Sequence, residues 1–435
     1  MAKKSSKKKQ APPNLLSILI AIIVVIGAAF ASCLPNTQAP TPETAVTVTP
    51  GAGTLPPTNP GPSVATLTPG GPATATFTPL PVTIATLAPV TGAPGSVSVI
   101  NVGQGFGASK GFWQVYFTAP SGHANPATYV DGIDIQLAAA INSVGRTLDI
   151  AAFEWNLQSL TDAVLAAHAR GVQVRMVVDD EHTIRDSQST INQLINAGIP
   201  VVGDNRSALM HNKFMILDGV TVWTGSWNYS INDTYRNNNN AVALRSQKIV
   251  QNYQTEFNEM FVDKRFGSTS PENTPNISFA QNGIPIQVYY ASEDPVLPAL
   301  IATLGRATKS IRFMNFSFTD FDVAKVIIER AQAGVTAQGI FETTGSQTEA
   351  SELRTLFCAG VPARQDGGKY ILHHKVFIID DTTVVTGSFN ISSNATRSND
   401  ENLIIISDPD LAAQYIAEFN RRWQEAKVPT AFTCS

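Results

Sequence analysis

From residue 99 onward the apolar positions of the chain switch repeatedly between two periods. Trp113–Thr118, Leu148–Phe153 and Val172–Val178 are short runs rich in β-branched and aromatic residues, and the last suits a strand buried in a parallel sheet. Between them, Ile133–Val144 and Leu160–Arg170 space their apolar residues as helices do, and the second closes on Gly171, a common helix stop. The same order returns in Ile286–Tyr290, Leu297–Leu304, Ser310–Ser317, Val323–Ala333, Thr336–Phe341 and Glu349–Ala359. Alternating strands and helices predict an α/β fold whose helices cover a mixed sheet. Residues 266–284, rich in Ser, Pro, Asn and Gly, read as a connector. The acidic run Asp179-Asp180-Glu181 reads as a loop at a strand end.

Self-comparison makes the repetition explicit. Leu148-Asp149-Ile150-Ala151-Ala152-Phe153 is echoed 163 positions later by Ile311-Arg312-Phe313-Met314-Asn315-Phe316, and Ala169-Arg170-Gly171-Val172 by Gln332-Ala333-Gly334-Val335. Ala197-Gly198-Ile199-Pro200 returns as Ala359-Gly360-Val361-Pro362 at an offset of 162. A single offset with a one-residue slip implies a duplicated domain, 99–265 and 285–435, joined by 266–284.

The first 98 residues have another character. Five lysines (Lys3, Lys4, Lys7, Lys8, Lys9) precede an uncharged apolar run from Leu15 to Ala31, then Ser32 and Cys33. Basic, apolar and small residues in that order describe a secretory signal or an uncleaved anchor. At ~1.5 Å per residue the run spans about 25 Å, short for a ~30 Å hydrocarbon core but not disqualifying. The Ala-Ser-Cys end resembles the lipobox of bacterial lipoproteins, which would make Cys33 the lipidated residue; the alternative is a simple signal anchor with Cys33 incidental. Either places the rest of the chain outside the cytoplasm, membrane-attached or secreted. Residues 34–98 contain 14 Pro and a single acid, Glu43, and no Lys or Arg. Such a composition does not bury enough apolar surface to fold, and predicts an extended, disordered stalk with a contour of about 200 Å, or a dispensable spacer.

Charge and cysteine content narrow the chemistry. Three Cys in 435 residues exclude a disulfide-rich scaffold and any multi-cysteine metal framework. Cys358 and Cys434 are candidates for one disulfide, with nothing in the sequence fixing their distance. The net charge of −4 becomes −9 once residues 1–33 are set aside, which argues against a protein that clamps nucleic acid.

Each copy carries one long pattern: His-x-Lys, four residues, Asp, six residues, Gly-Ser-x-Asn. It comprises His211, Lys213, Asp218, Gly225, Ser226 and Asn228 in the first copy, and His373, Lys375, Asp380, Gly387, Ser388 and Asn390 in the second. In a strand, positions i and i+2 share a face, so His and Lys project together while 214–217 or 376–379 are buried sheet. A lone His-x-Lys is a weak signal; six matched positions occurring twice are strong. Displacement at a phosphodiester needs a nucleophile, an acid for the leaving oxygen and positive charge around the phosphate. Two imidazoles supply the first two, Lys213 and Lys375 the third, and Asn228, Asn390, Ser226 and Ser388 can donate to phosphate oxygens. The motifs lack the carboxylate or His clusters by which metal-dependent phosphodiesterases hold ions, so no metal or cofactor is expected. Asp218 and Asp380, at turns after buried strands, read as structural.

This paired motif resembles the signature of the phospholipase D superfamily, over roughly residues 110–430. The resemblance implies two α/β/α layered domains related by a pseudo-twofold, with both motifs in one cleft and a phosphohistidine intermediate. Since one chain holds both motifs, it also implies a monomer. In that family a Glu about 28 residues past the motif His orients an imidazole. The second copy has Glu401 there and the first Asn239, so the two histidines are expected to be inequivalent, with an amide only orienting. Family precedent makes His211 the nucleophile and His373 the acid. The implied substrate is a phospholipid, cut to phosphatidic acid and head group. The alternatives are an extracytoplasmic nuclease acting on DNA or RNA, for which no Lys/Arg run is visible, a phosphatidyl transferase making cardiolipin, and a non-catalytic binding protein.

Other candidates are weaker. His123, His168 and His182 lack motif partners, and His374 fills the variable slot. Trp155, Trp227 and Phe389 are cleft or core aromatics.

Overall fold

The computed structural model describes residues 96–430, 432 and 434. The expected anchor with Cys33, and the stalk up to residue 95, lie outside the described residues. No helix among the described residues is long and apolar enough to cross a membrane.

The first copy runs β1 (Ser98–Ile100), β2 (Gly105–Lys110), β3 (Trp113–Thr118), α1 (Ile133–Asn142), β4 (Thr147–Ala152), α2 (Gln158–Ala169), β5 (Gln173–Val178), α3 (Ile191–Asn196) and β6 (Val201–Gly203). It continues with β7 (Phe214–Leu217), β8 (Thr221–Gly225), α4 (Ile231–Tyr235), β9 (Asn240–Leu244) and α5 (Gln247–Phe261). The second runs β10 (Ser278–Gln281), β11 (Ile284–Ala291), α6 (Val296–Gly305), β12 (Ser310–Asn315), α7 (Phe321–Gln332), β13 (Thr336–Phe341), α8 (Leu353–Cys358) and β14 (Ala363–Gln365). Then come β15 (Lys375–Ile379), β16 (Thr383–Gly387), α9 (Ser393–Arg397), β17 (Glu401–Ile406) and α10 (Pro409–Glu425).

The two copies build the same mixed sheet. The first is ordered β1-β2-β3-β9-β8-β7-β4-β5-β6 and the second β10-β11-β17-β16-β15-β12-β13-β14. In each, only the three strands at the crossover edge are parallel, Leu148 pairing with Val174 and Ile311 with Ala337. The offset of 162–163 read from the sequence is thus a structural equivalence, β4 matching β12 and β7 matching β15.

Three expectations need correction. Residues 266–284 are not a plain connector: Ser278–Gln281 forms an edge strand on β11, and Gly267 N donates to Asp400 Oδ1 at 2.5 Å. The acidic run is not a free loop but opens a single π-helical turn, Asp180–Ile184, and Asp179 is buried. The helix expected over Glu349–Ala359 starts only at Leu353, because the Glu352 amide bonds Phe318 O at 3.0 Å and ties the preceding residues to another loop. Cys358 and Cys434 are joined, with Cα atoms 5.3 Å apart across 76 residues of sequence.

Each half has its own core on the outer side of its sheet, around Leu137, Ile150 and Val164 in the first and Leu300, Phe313 and Ile327 in the second. A third cluster belongs to both halves, packing Ile216, Val242, Tyr253 and Phe257 with Val288, Ile378, Ile404, Tyr415 and Phe419. Edge-on aromatic pairs Phe117–Tyr415 and Tyr253–Tyr290 cross the boundary. Buried polar groups cross it too, and reciprocally. Asn402 Oδ1 accepts from Thr224 and Tyr253, while Asn240 Oδ1 accepts from the equivalent Thr386 and Tyr415. A pseudo-twofold relates the halves.

Asp218 and Asp380 end β7 and β15 with φ of 54° and 53°, a left-handed turn that Asp tolerates better than most residues. Asp218 accepts from the amides of Gly145, Arg146 and Thr147, and Asp380 from those of Thr308, Lys309 and Ser310. Burial opposes both charges, but these donors outweigh it and hold both carboxyls below the usual range. Such stability is complete above the unfolded carboxylate pKa and fades as pH falls through the depressed one. Asp380→Ala should cost about 1 kcal/mol, since the Thr308, Lys309 and Ser310 amides lose their acceptor but two of them can turn to water. The check is the thermal midpoint at neutral pH, where the wild-type advantage should exceed that measured near pH 3; a pH-independent difference would contradict it.

Candidate active site

The His-x-Lys segments lead into the strands rather than lie within them: β7 begins at Phe214, just after Lys213, and β15 begins at Lys375 itself. Their backbones are paired across the pseudo-twofold instead. His211 N donates to Asp400 O at 3.0 Å and Asp400 N to Leu209 O at 2.9 Å; His373 N donates to Asn238 O and Asn238 N to Ile371 O, both at 2.9 Å. Each motif is therefore stitched to the segment leading into the other half's β9 or β17, which brings both into one buried site.

The side chains repeat this crossing. His211 Nδ1 lies 2.7 Å from Glu401 Oε2, and His373 Nδ1 lies 3.0 Å from Asn239 Oδ1. Each imidazole thus has Nδ1 held from the opposite half, and Nε2 has no hydrogen-bond partner among the described residues. Lys213 and Lys375 curl back to donate to the carbonyls of their own His211 and His373, at 2.7 and 2.8 Å. Phe153 stands edge-on to His211 and under the Lys213 ammonium; Phe316 does the same for His373 and Lys375.

One residue overlooked in the sequence alters the expected asymmetry. Asp233, on α4, places Oδ2 3.2 Å from His373 Nδ1. His373 therefore has a carboxylate as well as an amide behind it, and the premise that an amide alone orients it does not hold. The position equivalent to Asp233 in the second half is Ala395. The halves thus supply one carboxylate each from different positions, Asp233 beside Asn239 and Glu401 beside Ala395. With no echo in the other copy, Asp233 carried no repeat signal.

Electrostatics keep the site poised. Burial, then the charges of Lys213, Lys375 and His373, push His211 well below the usual histidine value. Burial brings His373 down to about 4, opposed by Asp233. Burial raises Glu401 to about 8 against the pull of Lys213. Asp233 is also opposed by burial, but His373 and its hydrogen bonds hold it strongly anionic. Lys213 falls to about 8 through burial, and Lys375 falls further for the same reason with Lys213 beside it. Neighbouring cations in a buried pocket suppress further positive charge, and an anion placed among them would relieve that suppression.

Asn228 and Asn390 both leave a buried Oδ1 without a partner, and their Nδ2 groups make no hydrogen bond among the described residues. Ser226 and Ser388 are differently employed than expected. Ser226 Oγ donates to Asn239 Oδ1 at 2.8 Å, and the Ser388 hydroxyl serves Glu401, so each spends its single proton on the group behind a histidine rather than offering it to a phosphate. Asp218 and Asp380 sit at the far ends of β7 and β15, away from the imidazoles. Trp155, Trp227 and Phe389 are core residues, the indoles donating to Thr161 and Thr234. His374 is interior, 3.3 Å from Glu418 and 3.0 Å from Asn240.

Two further acids border the site. Asp179 accepts from Met210 N, one residue before His211, and from His182 Nδ1 at 2.9 Å. Glu154 follows Phe153, its carboxyl pushed up by burial and by Asp233; Ser317 stands in its place in the second half.

The sequence matches the profile described as "Cardiolipin synthase, PLD-like domain" twice, over residues 137–261 and 300–423. It is 35% identical over 136 residues to the mitochondrial cardiolipin hydrolase of Xenopus tropicalis, covering 31% of this chain and 64% of that protein. It is 32% identical over 119 residues to a phospholipase D of Rickettsia felis, covering 27% of this chain and 60% of that one. The chain thus spans somewhat less than two thirds of the length of these curated relatives. Among solved structures, phosphatidylserine synthase of Haemophilus influenzae aligns with a TM-score of 0.55 at 15% identity, over 68% of this chain and 85% of that one, a likeness of fold. With a duplicated PLD-like domain accounting for most of its folded part, the chain belongs to the phospholipase D superfamily.

Proposed function

We propose that this protein is a phospholipase D-type phosphodiesterase that hydrolyses a phospholipid to phosphatidic acid and an alcohol through a phosphohistidine intermediate on His211. The observation that carries the reading is the pair of buried imidazoles, each anchored at Nδ1 from the opposite half and free at Nε2, flanked by Lys213 and Lys375. His211 Nε2 attacks phosphorus, the bond from phosphorus to the head-group oxygen breaks, and His373 Nε2–H gives its proton to that oxygen. Water then attacks the phosphohistidine and passes its proton to His373. The phosphorus–nitrogen bond breaks, so both histidines return to their starting states. The lysines and the free amides of Asn228 and Asn390 stabilise charge on the phosphate oxygens.

A lipid rather than a nucleic acid substrate is supported by the net charge of −9 outside residues 1–33 and by the names of the relatives, a cardiolipin hydrolase and a phospholipase D. The Lys-rich start and apolar run to Ala31 fit attachment to a bilayer outside the cytoplasm, with or without lipid on Cys33. A single chain suffices for the site, which fits a monomer.

The full-length chain, offered vesicles of phosphatidylcholine and cardiolipin together with single-stranded DNA, should release phosphatidic acid and leave the DNA intact. His211→Ala should abolish that release, and EDTA should leave it in place at temperatures where the protein stays folded. DNA cleavage with silent vesicles would make the protein a nuclease instead. Phosphate trapped by acid quench should map to the peptide containing His211; an adduct on His373 would reverse the two roles. Glu401→Gln and Asp233→Asn should each lower kcat on the order of 100-fold or more with KM little changed, because each leaves an imidazole misoriented without removing a phosphate contact. A change confined to KM would show that these carboxylates bind substrate.

A further inference from the structure

The pseudo-twofold makes one difference between the halves stand out. On α10, Glu418 is wholly buried behind the second motif, 3.3 Å from His374. Arg421 approaches it at 2.7 Å and Arg422 at 3.2 Å. Burial alone would raise this carboxyl, but His374 and the two arginines hold it down. Its equivalent on α5 is Glu256, buried behind the first motif and accepting from Asn212 at 2.8 Å. Where the second half has Arg421 and Arg422, however, the first has Glu259 and Met260. A third carboxylate, Glu293, comes from the loop after β11. Oxygens of Glu256, Glu259 and Glu293 all lie within 4.8 Å of one another.

Among the described residues no Lys or Arg makes a salt bridge to any of the three. Arg206 is taken by Asp400 and by Asp204, and Arg265 acts on Glu259 through space without a salt bridge. Two further atoms are unsatisfied here. Glu259 Oε2 is buried without a hydrogen-bond partner, and so is the hydroxyl of Tyr290, a residue only 1% exposed that stands beside Glu256 and Glu293. A buried hydroxyl and a buried carboxylate oxygen, both left open beside members of one acidic cluster, are groups an oxygen-seeking cation can use. Glu293 is only partly buried and gives the cluster access to solvent.

We propose that Glu256, Glu259 and Glu293 form a calcium site, in which a hard divalent cation does for the first half what Arg421 and Arg422 do for the second. Three carboxylates supply up to about six oxygens, and the Tyr290 hydroxyl adds one more, which suits calcium's coordination of about 6–8 oxygens; magnesium prefers to keep several waters, and softer metals favour His or Cys. The site lies one side chain from the catalytic segment, since Asn212 stands between His211 and Lys213 and also accepts from Asn402, the neighbour of Glu401. The cation is a support for the motif and takes no part in the displacement.

The test uses the full-length chain stripped with EDTA and dialysed back. Equilibrium dialysis should find calcium bound to the wild type, and calcium on the order of 1 mM should raise the thermal midpoint by several degrees. Magnesium at the same concentration should raise it less. Glu259→Gln should bind one ion fewer per chain and lose the calcium response. Glu259→Arg, which imports the second half's arrangement, should fold with a wild-type circular dichroism spectrum and be indifferent to calcium. Absence of bound calcium in the wild type would overturn the proposal, as would a calcium response that survives unchanged in either variant. An equal or larger response to magnesium would overturn the choice of calcium.

Discussion

The arrangement depends on one constraint: a buried imidazole needs a partner at Nδ1, and here neither half supplies its own. His211 is held by Glu401 and His373 by Asn239 and Asp233, each from across the boundary. The backbone pairs Met210 with Asp400 and Leu372 with Asn238 repeat the exchange. Around them, Asn240 and Asn402 satisfy their amides on the opposite sheet, and a shared apolar cluster covers the whole boundary. Buried polar groups of this kind are costly unless fully paired. Separating the halves would strand all of them together, so folding of the boundary and assembly of the site are one event.

That constraint explains how the pocket holds so much charge. Two lysines and two histidines are buried side by side, yet each lysine caps a carbonyl and lies over a phenyl face, which lowers the cost of burying a cation. Anionic Asp233 and the Glu401 carboxyl partly offset the rest.

Much of this was legible in the chain because duplication writes the same message twice. The echo of Ala169–Val172 in Gln332–Val335 gave the crossover units. The paired His-x-Lys gave the site, and Phe214–Leu217 and Val376–Ile379 proved to be buried strands. Where the halves differ, the sequence showed the exchange of Glu401 for Asn239 but not what else stands behind each histidine. Asp233 faces Ala395, and its role arises only because α4 packs against the other half's motif. Ser226 and Ser388 were read as phosphate donors since nothing in the chain tells that their hydroxyls turn toward Asn239 and Glu401. Edge strand β10 was hidden in a Ser/Pro/Asn stretch, because its pairing with β11 depends on backbone rather than on an apolar pattern. Asp179 reads in the chain as part of a loop at a strand end, and only the fold shows its carboxylate accepting from Met210 N, the residue before His211.

The uneven placement of the two carboxylates has a consequence for symmetry itself. A dimer of two identical copies would surround both imidazoles with the same groups, and an incoming diester would have to select attacker and proton donor by its own orientation alone. Joined in one chain, the copies need not match, and here each half supplies its carboxylate from a different position, Asp233 in one and Glu401 in the other. The pocket therefore has a fixed front and back before anything enters it. A substrate with chemically distinct ends meets a receptor with a built-in polarity, and binding in reverse becomes a different event from binding forward.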